Sequence, residues 1–284
     1  AGVARLAADP RALRAFRLAN RAMLAQMCQQ DRLAGRERAP QAHRWRPFQL
    51  AFLLTTLVSS IDEDDPHRDT VDLIWFPTGG GKTEAYLGLM ALLLVWRRLR
   101  YPSAGGGTAI LMRYTLRLLT TQQFQRATRM ILALELIRRE HPDELGDEPF
   151  SVGLWVGGAI CPNRCEEALE IVRRASEGGA LDRLVLTRCP WCDTPFRAPD
   201  NFRARHDDFG FCCHQPDCAF GDGAVLPVNV VDEALYRRPP SLLLATVDKF
   251  AQLAWDQRAG VFFGHAGLRP PELIVQDELH LIAS

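Results

Sequence analysis

Short apolar runs alternate with amphipathic stretches along most of the chain, and this pattern predicts the main elements. Each apolar run is bounded by glycine, proline or charged residues, which is typical of strands covered on both faces. The predicted strands are 71–76, 108–112, 151–156, 242–246 and 273–276. The predicted helices are 11–29, 82–100, 116–139, 165–175 and 248–255. Because strands and helices alternate, we expect βαβ units and an α/β fold, with a parallel sheet and helices on both faces.

One stretch departs from this alternation. Residues 179–227 lack a helical or strand period and carry two short cysteine spacings, so we predict an insertion there. The arginine-rich residues 1–45 precede the first strand and are predicted as an N-terminal helical arm. The remaining chain, 46–284, is predicted as one α/β domain that the insertion interrupts.

Composition fits a folded domain with a sizeable core. The chain has 284 residues, of which 47% are hydrophobic and 24% charged, and these values argue against a disordered or fibrous protein. Its 34 basic and 34 acidic residues cancel, although the first 50 residues carry ten arginines and three acids. Only Lys82 and Lys249 are lysines, so we treat both as candidates for roles that arginine does not fill.

The chain shows no sign of secretion or membrane insertion. Its most apolar run, from Leu87 to Trp96, has ten residues, whereas a bilayer needs about 20, so this run is predicted as a buried helix. Four of the eight cysteines have metal-ligand spacing, which favours a reducing cytoplasm over a disulfide scaffold. The first residue is Ala1 and not methionine, and we therefore expect further sequence upstream.

A glycine-rich loop, PTGGGKT, follows the first predicted strand and opens the helix at 82–100. This is the context of a Walker A loop, because glycines allow backbone amides to close around phosphate at a helix N-terminus. Lys82 would reach the β- and γ-phosphates of ATP, and the Thr83 hydroxyl would bind Mg²⁺. The predicted nucleotide-binding residues of this loop are Thr78, Gly79, Gly80, Gly81, Lys82 and Thr83. The alternative is a glycine-rich turn that binds nothing.

An acidic pair follows the last predicted strand. At the end of a parallel strand beside a phosphate loop, Asp277 would hold Mg²⁺ and Glu278 would activate the attacking water. His280 completes a DExH-type sequence. The alternative is a solvated turn, which is common for an isolated Asp-Glu pair.

The cysteines of the predicted insertion form two knuckles, Cys189-Pro190-Trp191-Cys192 and a second pair, Cys213 and Cys218. Two short spacings separated by a gap of this order suit a closed, structural Cys₄ zinc site that supplies folding energy. Cys212 and His214 are alternative ligands, and a redox CxxC is the alternative function.

With these motifs placed, the chain resembles the first RecA-like domain of a superfamily-two helicase. The segments 111–123, LMRYTLRLLTTQQ, and 245–250, ATVDKF, stand where motifs Ia and Ib of that family occur. Further sequence segments, from about residue 16 to the end of the chain, resemble the helicase component of DISARM anti-phage systems. The segments that carry this resemblance are FRLANRAM, RPFQLAF, FPTGGGKTEAYLG, GLWVGG, TVDKFAQLAW and DELHLI.

The resemblance implies the remaining site residues. Its strand-contacting residues would be Arg113, Arg117, Thr246 and Lys249, and Gln49 would recognise adenine. The alternatives are solvated side chains at a helix start for the two arginines, a solvated helix cap for Thr246 and Lys249, and a surface position for Gln49.

The resemblance further implies a P-loop NTPase that couples Mg²⁺-ATP hydrolysis to movement on nucleic acid. DNA is the expected strand, and RNA fits the same motifs. We expect the second RecA-like domain that completes the ATP site to be absent from this chain, and the implied partner is a second DISARM protein. The alternative from another class is an ATP-gated, zinc-organised DNA-binding or docking platform without unwinding activity.

Overall fold

A parallel sheet with helical elements on both faces is the main feature of the computed structural model. The structure describes residues 1–75, 81–114, 121–251, 255–264 and 267–277. Within these residues the sheet has five strands in the order β5-β2-β6-β1-β7, all parallel. The strands are β1 Ile110–Tyr114, β2 Val152–Trp155, β5 Val228–Asn229, β6 Leu242–Thr246 and β7 Leu273–Gln276. A separate antiparallel hairpin is formed by β3 Phe202–Ala204 and β4 Phe209–Phe211.

The helices precede, connect and follow these strands. They are α1 Gly2–Ala8, α2 Pro10–Leu33, α3 Pro47–Ile61, α4 Lys82–Arg100, α5 Thr121–Glu140, α6 Pro142–Leu145, α7 Cys165–Ser176, α8 Asp232–Arg237 and α9 Val247–Ala251. Short 3-10 helices occupy Pro40–Ala42 and Gln257–Phe263. The α/β fold and the parallel sheet that the sequence pattern predicts are therefore confirmed.

The two faces of the sheet belong to different apolar clusters, because successive side chains of a strand point to opposite sides. On one face, Leu242 and Leu244 of β6 join the large core that includes α2, α4 and α5. On the other face, Leu243 and Ala245 join a smaller cluster with Trp155. Elements α8 and Gln257–Phe263 cover that smaller cluster.

Helix α4 lies in the interior, and its observed bounds are the predicted ones. Residues 85–98 are all buried, while the basic residues of its last turn favourably face the negative end of the helix dipole. Gly88 allows the indole of Trp45 to approach closely, since a Cβ there would lie 2.7 Å from the Trp45 ring. The apolar run at 87–96 is thus a buried helix, as the sequence predicts, and none of the helices described here is long and apolar enough to cross a membrane.

Helix α2 is longer than predicted and belongs to the main core. Asp9 caps it by accepting hydrogen bonds from the amides of Arg11 and Ala12, at 2.9 and 3.1 Å. A stripe of small buried residues, including Ala15 and Ala22, lets the helix pack closely against α4 and α5. The residues predicted as a helical arm therefore contribute directly to the central packing.

The first predicted strand is wrong in its described part. Residues 71–75 belong to no helix or strand and pair with no described strand, and Phe76 lies outside the described residues. The side chains of Val71, Leu73 and Trp75 are 91%, 75% and 87% exposed. The apolar alternation predicts a strand, but a strand requires a neighbour for its backbone hydrogen bonds, and the described sheet ends at β7.

Other differences are smaller. Strand β1 begins two residues later than predicted, and the hairpin β3–β4 and the two-residue β5 were not predicted. The predicted helix at 116–139 is described only from Thr121, and the helix at 248–255 only to Ala251.

A buried arginine ties the end of α4 to the chain that leads into β7. The Arg97 guanidinium is fully buried and donates to the carbonyl oxygens of Gly105, Gly106, Arg269 and Pro270 over 2.5 to 3.1 Å. Its Nη1 also lies 3.5 Å from the Glu272 carboxylate. Burial lowers the pKa of Arg97, which the carboxylate of Glu272 opposes. These hydrogen bonds provide a donor to four backbone carbonyls that lie outside the helices and strands.

We predict that Arg97→Ala lowers the free energy of unfolding by about 3–5 kcal/mol, because it leaves four loop carbonyls without their donor, while Glu272 keeps its contact with Arg269. Urea unfolding followed by circular dichroism measures this loss. Arg100→Ala, on the exposed end of the same helix, is the matched control and should change stability by about 0.5 kcal/mol or less. Equal losses of stability in Arg97→Ala and Arg100→Ala would show that the buried hydrogen bonds of Arg97 do not stabilise the fold.

Candidate functional site

Helix α4 begins after a glycine in the left-handed conformation. Gly81 is the N-cap residue, with φ of 88°, and Lys82 is the first helical residue. A residue with a Cβ is strained at this φ, so glycine is needed at position 81. Thr78, Gly79 and Gly80 lie outside the described residues. The predicted loop is thus described at its helical end.

Asp277 follows β7 and is bound to α4. Its Oδ2 accepts a hydrogen bond from the hydroxyl of Tyr86 at 3.0 Å, and its backbone amide donates to the carbonyl of Arg113 at 3.3 Å. Burial raises the pKa of Tyr86, and the nearby carboxylate raises it further, so the phenol stays protonated and donates. Glu278 and His280 lie outside the described residues.

One cavity of about 660 Å³ brings these parts together. Gly81, Lys82, Thr83 and Asp277 all line it, although they come from two distant parts of the sequence. The remaining wall comes from α2, from residues 43–46, and from α3, α4 and α5. Those wall residues are Asn20, Met23, Leu24, Met27, His43, Arg44, Trp45, Arg46, Gln49, Glu84, Gln123 and Arg126.

Gln49 lines the cavity and is 4% exposed, so a surface position is wrong. Its Oε1 accepts from the amide of Arg46, and its Nε2 donates to the carbonyl of Gly81, both at 2.8 Å. Both ends of the amide are therefore engaged by backbone. Recognition of adenine by Gln49 stays a prediction that would require a further or an exchanged hydrogen bond.

Of the predicted strand-contacting residues, Arg113 and Thr246 lie near the carboxyl ends of the neighbouring strands β1 and β6, and Lys249 lies in α9. Arg113 is in β1 and not at a helix start, and its guanidinium lies 5.4 Å from the centre of the Phe250 ring. Thr246 is 1% exposed and Lys249 is 6% exposed. Arg117 lies outside the described residues. Contact of Thr246 or Lys249 with a strand stays a prediction, and it would require α9 to move.

Lys249 instead has an internal partner. Its Nζ lies 2.5 Å from Oδ2 of Asp232 and 5.5 Å from the centre of the Trp155 ring. Burial raises the pKa of Asp232, and the lysine opposes this effect. The pair joins the start of α9 to the start of α8 beneath the smaller apolar cluster.

The four predicted cysteines converge. The sulfur atoms of Cys189, Cys192, Cys213 and Cys218 all lie within 4.8 Å of one another, as a tetrahedral metal site requires. Hydrogen bonding from Cys189 lowers the pKa of Cys218, whereas burial raises the pKa of Cys213, so the four thiols do not shift together. This group could hold a metal such as zinc.

The two alternative ligands do not belong to this cysteine cluster. In the described part of the chain, Cys212 is not among the grouped sulfurs, and Nε2 of His214 lies 3.0 Å from the carbonyl oxygen of Asp200. Cys212 pairs its backbone with Asn201 instead, at 2.8 Å. The choice of Cys213 over its neighbours agrees with this geometry.

The cysteine cluster is attached to the main helices and has a small aromatic core. The carbonyl oxygen of Trp191 accepts from Gln29 of α2 at 2.6 Å, and that of Pro190 accepts from Arg129 of α5 at 3.1 Å. Beside the cysteines, four phenylalanine rings pack with centroids 5.1 to 6.3 Å apart. These rings belong to Phe196, Phe202, Phe209 and Phe211.

Sequence reasoning missed two parts of the site. Tyr86 lies in an apolar run that predicts a core position. Its hydroxyl, one helical turn after Thr83, could have indicated that the side chain faces the site. The wall from α2 and residues 43–46 carries no motif, so nothing in the sequence links it to the phosphate loop. Only packing brings those residues to the cavity.

The described residues thus define an α/β protein with a cavity beside the carboxyl end of its edge strand and a cysteine cluster suited to a metal. No protein-family model matches the chain. The chain is 38% identical, over 285 aligned residues, to the DISARM protein DrmA of Bacillus paralicheniformis. The alignment covers 84% of this chain and 25% of that protein, so the chain spans about a quarter of the length of this relative. The similarity supports a DISARM-like origin.

We predict that Lys249→Met lowers the free energy of unfolding by about 3–5 kcal/mol, because it leaves the buried carboxylate of Asp232 without a counter-ion. The double variant Lys249→Met/Asp232→Leu should recover most of that loss, since both charges are then gone. Urea unfolding of the single and double variants measures the difference. A single variant as stable as the parent would show that the ion pair contributes nothing.

For the cysteine cluster, we expect the purified chain to contain about one zinc ion, and Cys213→Ser to lose it. Cys212→Ser is a matched control on the adjacent residue and should retain the metal. Elemental analysis by mass spectrometry after dialysis measures the zinc content. The reverse result, with metal lost only from the Cys212 variant, would reassign the ligand.

Proposed function

We propose that this chain is the ATP-binding part of a nucleic-acid motor, a helicase or translocase of a DISARM anti-phage system. The observation that carries the proposal is the shared cavity, where Gly81, Lys82 and Thr83 of one motif meet Asp277 of another. Two motifs separated by nearly two hundred residues would have no reason to share a cavity if each were a plain turn. The similarity to a DISARM protein supports the defence role.

The donor set fits a nucleotide with Mg²⁺. The Thr83 hydroxyl and the Asp277 carboxylate are hard oxygen ligands on one cavity, as magnesium prefers. Lys82, the first residue of α4, would neutralise phosphate charge at the positive end of the helix. When bound, Mg²⁺ supplies charge neutralisation between the phosphates. Tyr86 holds Asp277 in position by its hydrogen bond, and Glu278 is proposed to orient and deprotonate the water.

In fold terms, we propose a RecA-like P-loop NTPase domain over 46–284, preceded by a helical arm at 1–45 and interrupted by a zinc-binding insertion at 179–227. The parallel sheet with helices on both faces supports this proposal. The contacts of Trp191 and Pro190 with α2 and α5 support a structural role for the zinc site. A metal bound to the four cysteines would stabilise the segment that contacts α2 and α5.

The nucleic acid is proposed to be DNA and to cross the carboxyl edge of the sheet. Arg113 and the motif that contains Arg117 are the proposed contacts, because isolated arginines there can pair with phosphate. Thr246 and Lys249 are buried, so their proposed contribution depends on the position of α9. A second RecA-like domain would complete the ATP site, and a second DISARM protein is the proposed partner.

The test is strand-stimulated ATP hydrolysis by the full-length protein. We expect Lys82→Ala and Glu278→Gln each to reduce hydrolysis by about 100-fold, since both act on charge that develops during phosphoryl transfer. Glu278→Gln should retain ATP binding, whereas Lys82→Ala should weaken it. Glu166→Gln, at an exposed position of α7, is the matched control and should leave the rate unchanged.

Separate arms with single-stranded DNA and RNA of equal length assign the strand, and a strand-displacement assay separates a motor from a docking platform. ATP hydrolysis at the parent rate in both Lys82→Ala and Glu278→Gln would contradict the proposal.

A further inference from the structure

A charged pair lies on the cavity wall and belongs to neither of the two predicted nucleotide motifs. Nη2 of Arg126 on α5 donates to Oε1 of Glu84 in the first turn of α4. Both residues line the cavity that Lys82 and Asp277 share. Their side chains are 30% and 22% exposed, so the pair keeps accessible surface and is not sealed in the core. An arginine from a separate helix thus lies in the cavity that holds the predicted phosphate site.

The position of Glu84 places this pair at the N-terminal end of α4. A Cβ on Gly81, the N-cap residue, would lie 3.5 Å from Oε2 of Glu84 and 3.7 Å from Nη1 of Arg46. The positive end of a helix dipole favours an anion, and so does a guanidinium beside it. The Glu84 carboxylate therefore lies in a region of positive potential that would also attract phosphate.

The charges around the cavity are unequal. Among the described residues that line it, four carry a permanent positive charge and two are acidic. The cations are Arg44, Arg46, Lys82 and Arg126, and the acids are Glu84 and Asp277. Asp277 is the proposed ligand of Mg²⁺, which leaves Glu84 as the lining carboxylate that offsets these cations. An excess of positive charge in a cleft suits a ligand with several negative charges, such as a polyphosphate.

Arg126 can exchange its partner at small cost. An ion pair that is partly exposed contributes little to stability, because both charges keep part of their hydration and are screened by salt. A guanidinium presents its donors in a planar fork, which matches the oxygens of a phosphate as well as those of a carboxylate. A triphosphate with Mg²⁺ carries more negative charge than the single carboxylate of Glu84, so it should compete successfully for Arg126.

We propose that Arg126 binds the phosphates of the nucleotide and that Glu84 holds Arg126 at the cavity in their absence. This inference rests on the proposed ATP function, which it extends by a phosphate-binding residue from α5. Glu84 and phosphate compete for one guanidinium, so the two partners of the ion pair have opposite effects on nucleotide binding. An ion pair that served only to join α4 to α5 would act in the same direction from both sides.

The test compares Mg²⁺-ATP with Mg²⁺-tripolyphosphate, which carries the phosphates without a base, by titration calorimetry on the full-length protein. Arg126→Gln should weaken binding of both probes by about tenfold, because a charge-assisted hydrogen bond to phosphate is lost. Glu84→Gln should strengthen binding of both probes by about threefold, because the competing carboxylate is removed. Arg17→Gln, which removes an exposed arginine of α2, is the charge-matched control and should alter neither.

The outcomes separate this inference from the proposed function. Binding that depends on Lys82 but stays within twofold of the parent in Arg126→Gln overturns the role of Arg126 and leaves the ATP function intact. Weaker binding in both Arg126→Gln and Glu84→Gln, or a loss for ATP without a loss for tripolyphosphate, also overturns it. A parent protein that binds neither probe overturns both proposals.

Urea unfolding checks that each variant is folded. If Arg126→Gln is destabilised, Arg126→Lys replaces it, since lysine keeps the charge but lacks the planar fork. The lysine variant should bind both probes about threefold more weakly than the parent, and binding equal to that of the parent overturns the role of Arg126. Unchanged binding in Glu84→Gln overturns the competition between Glu84 and phosphate.

Discussion

Helix α4 sets the position of β7, the strand that Asp277 follows, and the candidate site depends on this contact. Strand β7 has four residues and, in the described sheet, pairs only with β1. Arg97 holds the chain before β7, and Tyr86 holds the carboxylate after it. These side chains are 11 residues apart, or about 16 Å along the helix axis. A short strand at the edge of the described sheet is therefore positioned at both ends by one buried helix whose first residue belongs to the predicted phosphate loop.

Helix α2 connects the two candidate sites. Met27 lines the cavity, and two residues later Gln29 donates to the carbonyl of Trp191 in the cysteine knuckle. The helix packs on α4 and α5 through small side chains, so a shift of α2 would open core contacts on both. Metal in the cysteine cluster and a ligand in the cavity would for this reason act on the same helix. The cysteine cluster and the predicted phosphate loop are far apart in sequence, but α2 contacts both the cluster and the cavity.

Local pattern was sufficient for several elements. The bounds of α4 follow from a left-handed glycine before Lys82 and from the basic turn at its end, both of which act within a few residues. Four of the five predicted strands are present because apolar runs between helices can be buried only in a covered parallel sheet. The cysteine pairs come together as predicted, since their spacing already suits one tetrahedral centre.

The sequence by itself therefore determined the class of fold, the main helix and the chemical types of residue at the two sites. Only the tertiary structure decided which of those residues face a ligand. Gln49 and Lys249 are polar in sequence but are engaged inside the protein, by Gly81 and Asp232. The apolar segment 71–75 pairs with none of the described strands, while His43 lines the cavity without belonging to a motif. The physical reason is that periodicity and motifs report local preference, whereas burial and pairing depend on partners distant in the chain.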